Sequence, residues 1–138
     1  MLPPSETSCD HLDDAALIEA FEALAVPPAA FRHREHVRLA FALLQREDDF
    51  GAGAVRFCRA LKRFAAAHGA HAKYHATLTW AYLALIHERM HVEPCASSFE
   101  LIDRVPDLFA AELARRYDVK AIVASPVARA VFVLPERA

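Results

Sequence analysis

The chain has 138 residues, 16 Lys and Arg against 18 Asp and Glu, a formal charge of -2, and 55% hydrophobic residues. That length encloses one hydrophobic core and is too short for two. The basic residues are scattered rather than gathered into a stripe, so no nucleic-acid partner is expected.

Nor is a membrane. No stretch approaches the roughly 18 uninterrupted apolar residues that a bilayer span needs, and Met1 to Ser8 lack both a basic and an apolar export region. A cytoplasmic protein is expected. Cys9, Cys58 and Cys95 are odd in number and far apart, which argues against a disulfide framework and for reduced thiols.

Taken in order, residues 1–12 read as a disordered tail and 13–138 as a single helical domain. Asp13 and Asp14 cap a first helix running to about Ala25, with Leu17, Phe21 and Leu24 at helical spacing; Pro27 and Pro28 end it. A second helix begins near Arg32 to Arg34, carries Val37, Phe41 and Leu44 inward, and stops between Glu47 and Gly53. The third spans about Ala54 to His68 and stops at Gly69. The fourth and longest covers about Tyr74 to His91 and is closed by Pro94. Ser97 or Ser98 opens a short fifth segment, Pro106 sits near the start of a sixth ending around Tyr117, and Ser125 with Pro126 begins the last turn. With 3 glycines in the chain and abundant alanine, the expected fold is all-α, a single-domain bundle of about five to seven helices.

Two histidine motifs stand out, F31-R-H33-R-E-H36-V and Y74-H75-A-T77-L-T79. His33 shares a helical line with Val37, Ala40 and Leu44, and His36 with Ala40 and Leu43, so both project to the buried side. Counting about 100° per residue from His75, Tyr82 and Ile86 fall about 20° to either side and Thr79 about 40° away. A buried imidazole needs partners for its ring nitrogens, and several converging in one core point to a shared ligand. If the second and fourth helices meet at these ends, His33, His36 and His75 offer three nitrogens to a divalent transition metal (Zn, Fe, Cu, Ni or Mn) and leave a position open for water, dioxygen or substrate. Thr79, Tyr74 and Tyr82 then stand as outer partners or substrate contacts, and His71 as a reserve ligand.

A competing signal is H87-E88-R-M-H91, the H-E-x-x-H string of zinc hydrolases. On the same helical count its histidines lie about 120° and 160° from His75, on the more polar side, with only Glu93 or Glu112 as a further ligand. His68, His71 and His75 would form a ladder on a continuous helix, but Gly69 breaks it. Arg38 and Arg129 are candidates for a substrate carboxylate. Cys58 reads as a core thiol.

The two motifs, together with the terminal segment S125-P-V-A-R129-A-V-F-V, resemble a widespread group of small uncharacterised bacterial proteins with F-x-H-x-x-H and Y-H-x-T-x-T patterns. The resemblance covers about residues 13–135 and implies matching positions at His33, His36, His75, Thr77 and Thr79; where members of that group often carry Glu, this chain has Ala76. In architecture alone, a bundle with three inward histidines is similar to the DinB-like metal-binding proteins.

Three functions follow. The first is a small metalloenzyme, hydrolytic or oxygen-using, acting on a small molecule. The second is a non-catalytic ligand-binding or interaction module with structural histidines, for which a homodimer is allowed. The third is the H-E-x-x-H hydrolase.

Overall fold

The computed structural model describes residues 8–136, without the side chain of His71, so the reserve-ligand reading of His71 and most of the expected tail lie outside the described residues. Among the described residues there are eight α-helices and no strand: α1 Asp14–Glu22, α2 His33–Arg46, α3 Phe50–Ala67, α4 Ala76–Val92, α5 Ser98–Arg104, α6 Ala110–Arg116, α7 Val119–Ala124 and α8 Pro126–Ala130. Short 3-10 turns at Pro28–Ala30 and His71–Lys73 lead into α2 and α4. The all-α bundle is as expected. The one helix beyond the expected set is α7, capped by Asp118 between the expected sixth helix and the last turn, which Ser125 caps as α8. No helix among the described residues is long and apolar enough to cross a membrane.

Three boundaries differ from the sequence expectation for identifiable reasons. Helix α3 starts at Phe50 because the Asp49 carboxylate accepts the Ala52 N–H at 2.7 Å, and the two early glycines lie inside the helix. A Cβ on Gly53 would stand 3.0 Å from the Leu44 Cα, so glycine is what lets α3 pack closely on the end of α2. Helix α4 starts at Ala76, with His75 as its N-cap. Pro106 precedes α6 rather than opening it, because the chain first turns through Leu108 and Phe109, both at positive φ (55° and 69°), to bury the Phe109 ring.

Helix α2 is the centre of the bundle and packs against α1, α3, α4 and α5. Every residue from Val37 to Leu44 is buried, as expected of a helix enclosed on all sides. Two of its enclosed residues are charged: Glu35 and Arg38 are both 0% exposed.

Arg38 satisfies itself completely. Its Nε donates to Ser98 Oγ at 2.8 Å, Nη1 to the Cys9 carbonyl at 3.0 Å and Nη2 to the Leu12 carbonyl at 2.7 Å. The Asp14 carboxylate lies 3.6 Å from Nη2 and accepts both the Ser98 N–H and its hydroxyl, while Phe99 lies 3.9 Å beneath the guanidinium. Arg38 is therefore not placed to bind a substrate carboxylate. It ties residues 9–14 and the start of α5 to α2. Residues 8–12, expected as part of a disordered tail, are held by this contact, and Cys9 is only 2% exposed.

Removing the guanidinium takes the counter-ion from Asp14 and leaves the Ser98 hydroxyl oxygen and two carbonyls without their donor. Arg38→Leu should lower the unfolding free energy by about 3–5 kcal/mol, measured as a shift of the urea midpoint at unchanged slope. A loss below about 1 kcal/mol would show that the network contributes little.

Candidate ligand-binding site

A cavity of about 530 Å³ lies between α2, α3 and α4, within the size range of small-molecule sites. Its walls are three helical stripes: His33, His36, Val37 and Ala40 from α2; Phe57, Leu61, Phe64, Ala65 and the following His68 from α3; and Leu78, Thr79, Tyr82, Leu83 and Ile86 from α4. Positions three and four apart share a helix face, so each helix turns one stripe inward. Pro28, Phe31, Ala70, Lys73, Tyr74 and His75 complete the lining.

The expected meeting of the two motifs thus occurs, since His33, His36 and His75 all line this one cavity. In this geometry each of the three is engaged differently. His75 is 6% exposed and both of its nitrogens are engaged: Nδ1 accepts the Leu78 N–H at 3.1 Å, which leaves Nε2–H to donate to the Ile122 carbonyl at 2.8 Å. Rather than standing centrally on the apolar face of a helix, His75 caps it. His33 is exposed and its Nε2 donates to the Leu108 carbonyl at 3.2 Å.

The His33 and His36 rings stand 6.5 Å apart, centroid to centroid. With a metal–nitrogen bond of about 2.1 Å, two imidazoles on a tetrahedral ion have centroids about 5 Å apart. A separation of 6.5 Å puts the two rings on opposite sides of any shared ion. Among the described residues no three His, Cys, Asp or Glu side chains are placed to hold one.

His36 has a different environment. It is half-buried, its ring lies 4.1 Å from that of Phe31, and among the described residues nothing hydrogen-bonds to it. His36 lines the cavity, and among the described residues no buried side-chain nitrogen or oxygen lacks a partner. Burial, and secondarily the neighbouring His33, pull its pKa down to about 4. The imidazole is neutral at physiological pH and offers one donor and one acceptor.

The other expected site residues divide between cavity and scaffold. Tyr74 and Tyr82 line the cavity, and burial first of all raises both phenols, with Cys58 adding to the effect at Tyr74 and Asp107 at Tyr82. The Tyr82 ring lies 4.8 Å from His33. Burial likewise pushes the Cys58 thiol up, as for a core thiol. Thr79 lines the cavity but donates its hydroxyl to the His75 carbonyl at 2.7 Å, so it braces its own helix.

Thr77, fully buried, donates to the Val131 carbonyl at 2.9 Å and accepts the Val133 N–H at 3.0 Å. Arg129, expected at a substrate carboxylate, donates to the Ala72 carbonyl at 2.7 Å. Together His75, Thr77 and Arg129 dock the C-terminal segment on the start of α4.

His87, Glu88 and His91 lie outside the cavity. The two rings stand 4.7 Å apart, a separation one ion can bridge, but Glu88 is exposed, Glu93 pairs with Arg104 and Arg89, and Glu112 pairs with Arg115 and Arg116. His87 instead packs on Phe50, 4.9 Å between centroids.

Sequence reasoning passed over His68 and Lys73 as members of the site. His68 was dismissed with the ladder that Gly69, at φ 65°, does break, yet the same turn folds residues 68–73 back over the cavity. A turn of this kind has no periodicity to read. No protein-family model, curated protein or solved structure matches the chain.

Two outcomes are expected. The unfolded His36 titrates near 6.5 and the folded one near 4, so the unfolded state takes up the proton first. Stability is then full above pH 6.5 and falls by up to about 3 kcal/mol toward pH 4. The imidazole resonance of His36 followed by NMR should titrate near pH 4, and a midpoint at 6.5 would refute the placement. Thr77→Val strands the Val131 carbonyl and Val133 N–H at one stroke, so it should cost about 1–3 kcal/mol. Hydrogen exchange should rise across residues 119–133 in that variant, and uniform protection would contradict the docking role.

Proposed function

We propose that the protein is a ligand-binding module that holds a small, largely apolar molecule in the cavity between α2, α3 and α4, with His36 offering a hydrogen bond inside it. The observation that carries this is a neutral imidazole, without a hydrogen-bond partner among the described residues, lining a cavity of about 530 Å³ whose deeper wall is aliphatic and aromatic. Apolar walls with a few convergent polar groups are the usual composition of a small-molecule site. The expectation of a metalloenzyme built on His33, His36 and His75 is the weaker reading. It needs His75 to release the Leu78 N–H from Nδ1, or the Ile122 carbonyl from Nε2, and the His33 and His36 rings to turn toward each other. The H-E-x-x-H hydrolase is weaker still, because among the described residues its candidate third ligands Glu93 and Glu112 are held in ion pairs with arginines.

The test fills the cavity. Ala65→Trp projects an indole into it, and an apolar reporter dye such as 1-anilinonaphthalene-8-sulfonate should bind the native chain and lose at least about tenfold in affinity in the variant. Equal dye binding in a folded Ala65→Trp protein would overturn the proposal. Elemental analysis of protein purified without a metal-affinity tag, beside His36→Ala, decides the competitor: metal near one per chain that is lost with His36 would replace the ligand module with a metal centre.

A further inference from the structure

We infer, on the basis of the ligand-module reading, that the ligand is an amphipathic anion, a carboxylate on an extended apolar body that enters tail first. The lining carries one fixed cation, Lys73, four imidazoles (His33, His36, His68, His75) and no carboxylate, in a chain with 18 acidic residues. These groups are not spread evenly. Lys73, His68 and His33 are exposed, whereas Val37, Ala40, Phe57, Phe64, Leu83 and Ile86 are buried. Charge therefore belongs at the mouth and hydrocarbon at the floor.

Each alternative class meets an unfavourable wall. An organic cation would find Lys73 at the mouth and no carboxylate along the walls. A ligand charged at both ends would bury its inner charge among aliphatic and aromatic side chains without a counter-ion, which is strongly disfavoured. A neutral apolar molecule fits the floor but gains nothing from the mouth. Lys73 makes no ion pair with a described residue, so its ammonium is open to an incoming anion. The imidazole of His36, neutral and deeper, imposes no charge preference on the apolar body and accommodates a hydroxyl or keto oxygen, or a water, along it.

The experiment compares decanoate, decan-1-ol and decylamine by calorimetric titration against the native chain, Lys73→Glu and Ala65→Trp. Decanoate should bind tightest, with decan-1-ol about fivefold weaker and decylamine weaker again. Along the series from hexanoate, each added methylene should tighten binding about fourfold until the floor is reached. Lys73→Glu should weaken decanoate about tenfold and leave decan-1-ol unchanged. Ala65→Trp should weaken both. If decan-1-ol or decylamine matches decanoate while Ala65→Trp still abolishes binding, the anion preference is wrong and the cavity reading stands. If none of the three binds, or if Ala65→Trp has no effect on any of them, the cavity reading itself falls and the inference with it.

Discussion

A guanidinium shut away from water must give its N–H groups to acceptors inside the protein, and in this chain most of the architecture follows from where Arg38 finds them. Its partners come from two places far apart in sequence: the carbonyls of Cys9 and Leu12 and the carboxylate of Asp14 in residues 9–14, and the hydroxyl of Ser98. Satisfying one side chain on α2 therefore sets the position of the N-terminal segment, the first turn of α1 and the start of α5. The same contact orients α2 about its own axis. With Arg38 and Glu35 committed to one side, the stripe His33, His36, Val37 and Ala40 is turned to the other, where the cavity lies. The apolar contacts of α2 supply most of the burial, but hydrophobic packing is non-directional, and the ionic contact is what selects a single rotation.

A second set of polar contacts closes the other end of the bundle. Helices α7 and α8 are six and five residues long, too short to persist by themselves. They are held by three side chains near the start of α4 and at the C-terminal end: His75 on Ile122, Thr77 between Val131 and Val133, and Arg129 on Ala72. This gives the Y-H-x-T-x-T pattern a structural meaning. Its histidine and first threonine tie down the C-terminal segment, its second threonine braces the backbone of α4, and only the edges of the motif face the cavity.

The histidines illustrate how one residue type takes opposite chemical roles within one pocket. At His75 both nitrogens are used up by backbone groups, so the ring is scaffold. His33 donates one bond at the protein's edge and remains exposed. At His36 burial removes the charge while no described neighbour takes up the nitrogens, so the ring keeps its hydrogen-bonding capacity for whatever enters. The difference lies wholly in the second and third partners of each ring, which come from elements remote in sequence.

Helix content, the apolar stripes and the caps at Asp13 and Ser125 were legible from the amino-acid sequence, because each rests on local periodicity or on one residue's backbone preference, whereas the meeting of the two histidine motifs stood there only as a condition that the tertiary structure supplies. The inward placement of His36 was legible for the same reason, whereas His33, expected on the buried side, is exposed at the cavity's edge because it lies in the first turn of α2. The start of α3 was not, since Gly51 and Gly53 read as a break until the close approach of Leu44 explains the second of them. Nor was the work of Arg38 and Arg129, which read as candidate anion binders, nor that of His75, which read as a metal ligand. Sequence spacing determines which way a side chain points along its own helix. What that side chain is bonded to depends on groups tens of residues away, 60 in the case of Arg38 and Ser98 and 47 in that of His75 and Ile122. Only the tertiary structure brings those groups within hydrogen-bond distance, and it alone decided that the His75 imidazole is spent on the fold while that of His36 has no hydrogen-bond partner among the described residues.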